Sequence, residues 1–204
     1  MSIEVLNRVG PQSGLSGTGV PSMTAYGSAI VQDDFTAAVN AGRMFAICSQ
    51  AGVTSQAGLS ATTPVLTLYN SSSTVNCRLW YAGCTVTVSA ATAGAVWLAA
   101  NTVTSAAAVT GTAATAMRNM KLGGSAPSIT PLLAATLPAA PVGLCILGVL
   151  KTGAITTIPE QPAMGRWFNG GLIVANGTAI TIQTGVASGA SGLFCEYIWE
   201  EVAV

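Results

Sequence analysis

Short apolar runs, separated by Gly, Pro, Asn and Ser, set the rhythm of this chain from residue 43 onward. Arg43–Gln50, Val65–Tyr69, Val75–Tyr81 and Ala95–Ala99 are compact runs, and Thr85–Ser89 alternates cleanly, with Val86 and Val88 on one face. Their β-branched and aromatic content favours strands over helices, and a period of two marks a half-buried strand. Val142–Leu150 reads as a buried strand and Ala154–Ile158 as a further strand after a Thr-Gly turn. Gly171–Ala175 and Thr178–Gln183 flank Asn176-Gly177, the signature of a hairpin with a type I′ turn. Ile180 and Ile182 would then face inward, with Thr181 and Gln183 outward. Leu193–Glu201 makes a long final strand.

The pattern predicts about nine or ten short strands with no strand–helix alternation. The expected fold is all-β: a jelly-roll-like antiparallel β-sandwich over residues 43–204. Residues 1–42 read as an extended N-terminal arm, Gly-, Ser- and Pro-rich up to residue 32. A short helix follows, capped by Asp34 and ended by Gly42. The alternative for Asp33-Asp34 is a calcium site, for which further oxygen ligands are lacking nearby. Residues 100–141, rich in Ala, Thr, Ser and Pro, read as one long insertion. Ala113–Lys121 within it would form a two-turn helix with Met117 and Met120 on one face.

Composition narrows the function. The 204 residues include seven basic and seven acidic side chains and no histidine, and charged residues make up 7% where about 25% is usual. Clustered cations for phosphate are missing, so nucleic acid is not an expected partner. A membrane is not expected either. Pro131, Pro138 and Pro141 break the apolar stretch that ends at Leu150, and Met1–Gly10 has no apolar run of the signal-peptide kind. So few charges imply that Thr, Ser, Asn and Gly cover the outside, that other subunits do, or both.

Catalytic chemistry is hard to place. Without histidine there is no Ser-His-Asp or Cys-His arrangement. Glu196 and Glu200 would share a strand face about 13 Å apart, against about 5 to 9.5 Å for a glycosidase pair. Glu200 and Glu201 point to opposite faces. These acids read as a solvated strand end, with partners on a neighbouring subunit as an alternative. An enzyme would need Glu196 brought to Asp33 or Asp34. The five cysteines are odd in number and lack C-x2-C spacing, so core packing is expected, with no metal and no cofactor. Arg166-Trp167-Phe168 is the most distinctive tripeptide. Trp167 is expected in the core with Arg166 at its rim; exposed, it would be a binding anchor.

Gly165–Val174, Asn176–Gln183 and Gly192–Val202 together resemble the ending of tailed-bacteriophage virion structural proteins of the jelly-roll decoration, or cement, kind. The resemblance implies a non-enzymatic subunit, made in the host cytoplasm and residing in the virion. It would bind the major capsid protein and its own copies as a homotrimer. Candidate interface residues are Leu15, Val20, Met23 and Tyr26 on the arm, Arg166 and Trp167, and Tyr197 and Trp199 on the last strand, where they belong to the core or to the trimer axis. The alternative is a receptor- or glycan-binding head of a tail fibre or spike, with exposed aromatics beside polar groups.

Overall fold

The computed structural model describes residues 33–87, 92–102, 109–152, 164–187 and 192–204. One helix, α1 (Asp34–Asn40), precedes eleven strands. These are β1 (Met44–Cys48), β2 (Leu66–Tyr69), β3 (Val75–Val86), β4 (Gly94–Asn101), β5 (Thr110–Ala113), β6 (Arg118–Asn119), β7 (Leu132–Thr136), β8 (Val142–Leu150), β9 (Met164–Val174), β10 (Ala179–Thr184) and β11 (Leu193–Ala203). They form two sheets. Sheet I runs β6-β1-β11-β3-β9 and sheet II runs β5-β7-β2-β10-β4-β8.

The pairing is that of a rolled ribbon. Setting aside β5–β7, the first strand pairs with the last, the second with the last but one, and so inward: β1 with β11, β2 with β10, β3 with β9, β4 with β8, all antiparallel. This is jelly-roll topology in a β-sandwich. The connection from β4 to β8 carries β5, β6 and β7, which extend both sheets beyond β1 and β2.

Alternation along the strands builds the core. Leu193, Cys195, Tyr197 and Trp199 of β11 point inward and meet Leu66, Leu68, Val96, Leu98, Ile180 and Ile182 from sheet II. The outer face of sheet I is partly covered by α1, which packs Ala38 and Phe35 onto Met44 and Trp80. Asp33 caps this helix, accepting from the Thr36 N–H at 2.9 Å, one residue earlier than expected.

Several elements differ from the sequence expectation. Val75–Tyr81 and the start of Thr85–Ser89 merge into one strand, β3, because Ala82 and Cys84 keep the inward alternation across the gap; Val88 lies outside the described residues. Ala113–Lys121 is not a helix. Ala113 ends β5, Arg118 and Asn119 pair with Ala46 and Phe45 of β1, and hydrogen bonds to that sheet edge replace helical ones. Asn176-Gly177 does not close a hairpin, since β9 lies in sheet I and β10 in sheet II. Gly177 takes a positive φ (77°) and Asn176 does not, whereas a type I′ turn needs both. On β10, Thr181 and Gln183 are buried along with Ile180 and Ile182: Thr181 donates to the Leu66 carbonyl, and the Ser60 backbone holds the Gln183 amide. Ala154–Ile158 and the arm, residues 1–32, lie outside the described residues.

Candidate interaction surfaces

Buried charge comes first, because it removes the acids from the surface. Glu200 is 2% exposed on the outer face of sheet I. Arg43, just ahead of β1, reaches its carboxylate at 2.9 Å, and Arg78 of β3 reaches it at 3.1 Å. Glu201 points the other way and accepts from the backbone N–H groups of Ser128 and Ile129, each at 2.9 Å. The solvated-end expectation for these two acids is therefore corrected. The last strand is the middle of its sheet, so its acids are surrounded, and their partners come from the same chain. Arg118 and Lys121 also donate to carbonyls of the chain, at Met117 (2.7 Å) and Asn40 (3.0 Å). Much of the scarce charge thus serves internal structure.

The candidate residues separate accordingly. Tyr197 and Trp199 are both 0% exposed, filling the space between the sheets. They take the core alternative and offer no surface to another subunit. Trp167 is the reverse: expected in the core, it is 53% exposed. It sits on β9, the edge of sheet I, opposite Tyr81 and on the outer face. Arg166 is exposed and lies over the Phe168 ring at 5.8 Å. Leu15, Val20, Met23 and Tyr26 lie outside the described residues.

One surface was missed by reading the sequence. Val142–Leu150, expected to be buried, forms β8, the outer edge of sheet II. Val142, Leu144, Ile146 and Val149 are 69%, 49%, 61% and 53% exposed. No charge interrupts the strand, and Lys151 follows its end. An apolar run looks the same whether it is a core strand or an edge strand, since burial depends on what lies beyond the edge. A long apolar edge is a ready association surface. The β4–β8 register shifts twice, leaving Leu144 and Leu147 as extra residues on β8. Such bulges twist an edge and interrupt its ladder. The strand is thus suited to packing side chains against another surface more than to adding a regular strand.

The outer face of sheet I carries an aromatic group. Phe35 of α1 meets Trp80 edge-on at 5.2 Å and Trp167 at 6.2 Å, and Tyr81 lies 5.0 Å from Trp167. Tyr81 lies flat across Gly83 and Gly165, where an added Cβ would overlap its hydroxyl. Partial burial, and then the nearby Glu196 carboxylate, hold the Tyr81 pKa above its ordinary value. Asp33 gives both carboxylate oxygens to Thr36, so it is committed to the helix cap.

A cleft of about 500 Å³ opens between the end of β1 and β7, lined by Ile47, Val53, Pro64, Val65 and Leu133 with Ser, Thr and Gln at its rim. Thr63 and Ala134, both at positive φ, also line it. It holds no charged side chain and so suits only an uncharged group.

The five cysteines are free thiols. Among the described residues no three His, Cys, Asp or Glu side chains cluster as a metal site, and no helix is long and apolar enough to cross a membrane. Compared with protein-family models, with curated proteins and with solved structures, the chain matches none.

Proposed function

We propose that this chain is a non-enzymatic structural subunit of a tailed-bacteriophage virion, a decoration or cement protein that binds the major capsid protein and its own copies as a homotrimer. The observation that carries the reading is β8, an uncharged edge strand with four aliphatic side chains turned outward. Its exposed side chains lose contact with water only when a second surface covers them. The burial of Glu200 and Glu201 supports the same reading, because those charges do not keep the outside solvated. The resemblance of residues 165–202 to the ending of virion proteins suggests the setting.

The mechanism is thermodynamic. A standard interface buries about 1,600 Å² in total. Each subunit covering a joint between capsid proteins must be stripped before that joint ruptures, and repetition over the shell multiplies the effect.

The test is light scattering on the purified chain at low micromolar concentration, followed by rupture temperature of shells with and without it. A trimer that Ile146→Lys dissociates without lowering the melting temperature of the fold is the expected result, together with a raised rupture temperature for the decorated shell. A wild-type monomer overturns the homotrimer. Shells that rupture at the same temperature with the protein bound overturn the cement role.

A further inference from the structure

We propose that the outer face of sheet I is a carbohydrate-binding site, with Trp167 as stacking platform and Glu196 and Tyr81 as hydrogen-bonding groups, and that it takes a neutral pyranose glycan. The site is independent of β8, which lies at the edge of the other sheet.

Trp167 is the only tryptophan among the four left more than half exposed. Trp199 fills the core, Trp80 is buried under α1, and Trp97 lies half-buried against Gly143 and Gly185. The indole of Trp167 is buttressed by Tyr81 at 5.0 Å and Phe35 at 6.2 Å. Such support holds the ring in place before a ligand arrives, which lowers the ordering cost of binding.

The polar half of the site is built by glycine. Gly83 and Gly165 stand opposite each other on β3 and β9, and Gly83 also stands opposite Glu196 on β11. With no Cβ at either position, Tyr81 lies down on the sheet with its hydroxyl over Gly83 and Gly165, on the side of Glu196. Two strand spacings of about 4.8 Å and a two-residue offset of about 6.7 Å put the Glu196 backbone roughly 12 Å from that of Trp167, and their side chains share the outer face. That span suits one or two sugar rings.

The chemistry selects the ligand class. A pyranose has an apolar C–H face that stacks on the negative face of an indole. Its edge carries hydroxyls, and a carboxylate accepts O–H donors in short, charge-assisted bonds. Arg78 is engaged by Glu200, and Arg166 lies over Phe168 at the edge of β9. Arg166 alternates to the other face of β9 from Trp167, so the strand charge on the side of the indole that no salt bridge engages is the Glu196 carboxylate, which disfavours an acidic sugar relative to a neutral one. A few polar groups converging on an aromatic surface is the usual form of a specific small-ligand site.

The experiment exposes the full-length protein to a broad array of immobilised oligosaccharides, neutral and acidic, and titrates the strongest hits in solution by tryptophan fluorescence and calorimetry. Binding to neutral oligosaccharides is expected. Trp167→Ala should weaken it by about tenfold or more, the size of a lost aromatic anchor. Glu196→Gln should weaken it less. Gly165→Ala, which displaces Tyr81 rather than backbone, should weaken it with the melting temperature kept. Ile146→Lys should leave sugar binding intact, which separates this site from the β8 surface. An array without neutral hits overturns the proposal. So does a Trp167→Ala protein that binds as wild type does, or one that loses self-association or shell binding in place of sugar binding.

Discussion

The hydroxyl of Tyr197 donates to the carbonyl of Leu66 at 3.2 Å, joining the middle strand of sheet I to sheet II through the core. Burial holds the Tyr197 phenol well above its ordinary pKa. Thr181 donates to the same carbonyl at 3.3 Å, so that acceptor keeps a partner when the phenol is removed. Tyr197→Phe should therefore cost only about 0.5–1 kcal/mol. Trp199→Ala empties core volume and should cost about 3–5 kcal/mol. Chemical denaturation of the two variants checks the order; equal losses would mean that the hydrogen bond matters as much as the packing.

The two buried glutamates should respond differently to removal. Glu200 is paired with Arg43 and Arg78, whose side chains are 41% and 33% exposed, so solvent screens part of the attraction. Glu200→Gln should destabilise the fold by about 1–2 kcal/mol, with the loss reduced in high salt. Glu201→Ala leaves the Ser128 and Ile129 amides without their acceptor and should cost about 2–4 kcal/mol, insensitive to salt. Urea titrations at two salt concentrations distinguish the pair.

Thiol reactivity should map the sandwich. Cys77, Cys84 and Cys195 are buried, and burial raises their pKa values, that of Cys84 to about 12. Cys48 is exposed, yet partial burial and then the charge of Glu196 hold its pKa above the ordinary value. Native protein should react with iodoacetamide first at Cys48, slowly at neutral pH and faster as pH rises, because the thiolate is the nucleophile. Glu196→Gln should speed the reaction at a given pH. Peptide mapping by mass spectrometry gives the sites, and early labelling of Cys195 would contradict the core placement.

The helix cap gives a pH prediction. The Thr36 N–H, and then its hydroxyl, hold the Asp33 carboxyl below its ordinary value of 3.8. A depressed pKa contributes stability above the unfolded value and loses it as pH falls through the folded value. The α1 cap should thus be intact at neutral pH and released only below about pH 3.8. Amide hydrogen exchange at Thr36 reports this directly, and Asp33→Ala should show fast exchange without that acid dependence.

The alternation of small apolar and β-branched residues by itself determined that this chain forms strands with a sandwich core. Val142–Leu150 and Leu193–Glu201 show how far that goes. Both were legible as strands, because period and residue type are local properties. Their environments were legible only in part: the core was one of the two places expected for Tyr197 and Trp199, but the first strand was expected to be buried and the glutamates of the second to be solvated. The apolar strand lies at an open edge, while the strand that ends in two glutamates lies at the centre of its sheet. Burial depends on the order of strands in a sheet, which is set by pairings between residues far apart in the chain, such as Met44 with Glu200. The same cause moved Trp167 outward and brought Tyr81 and Glu196 together beside it. Chemistry at a site needs groups from three strands to converge, and only the rolled topology decided which three.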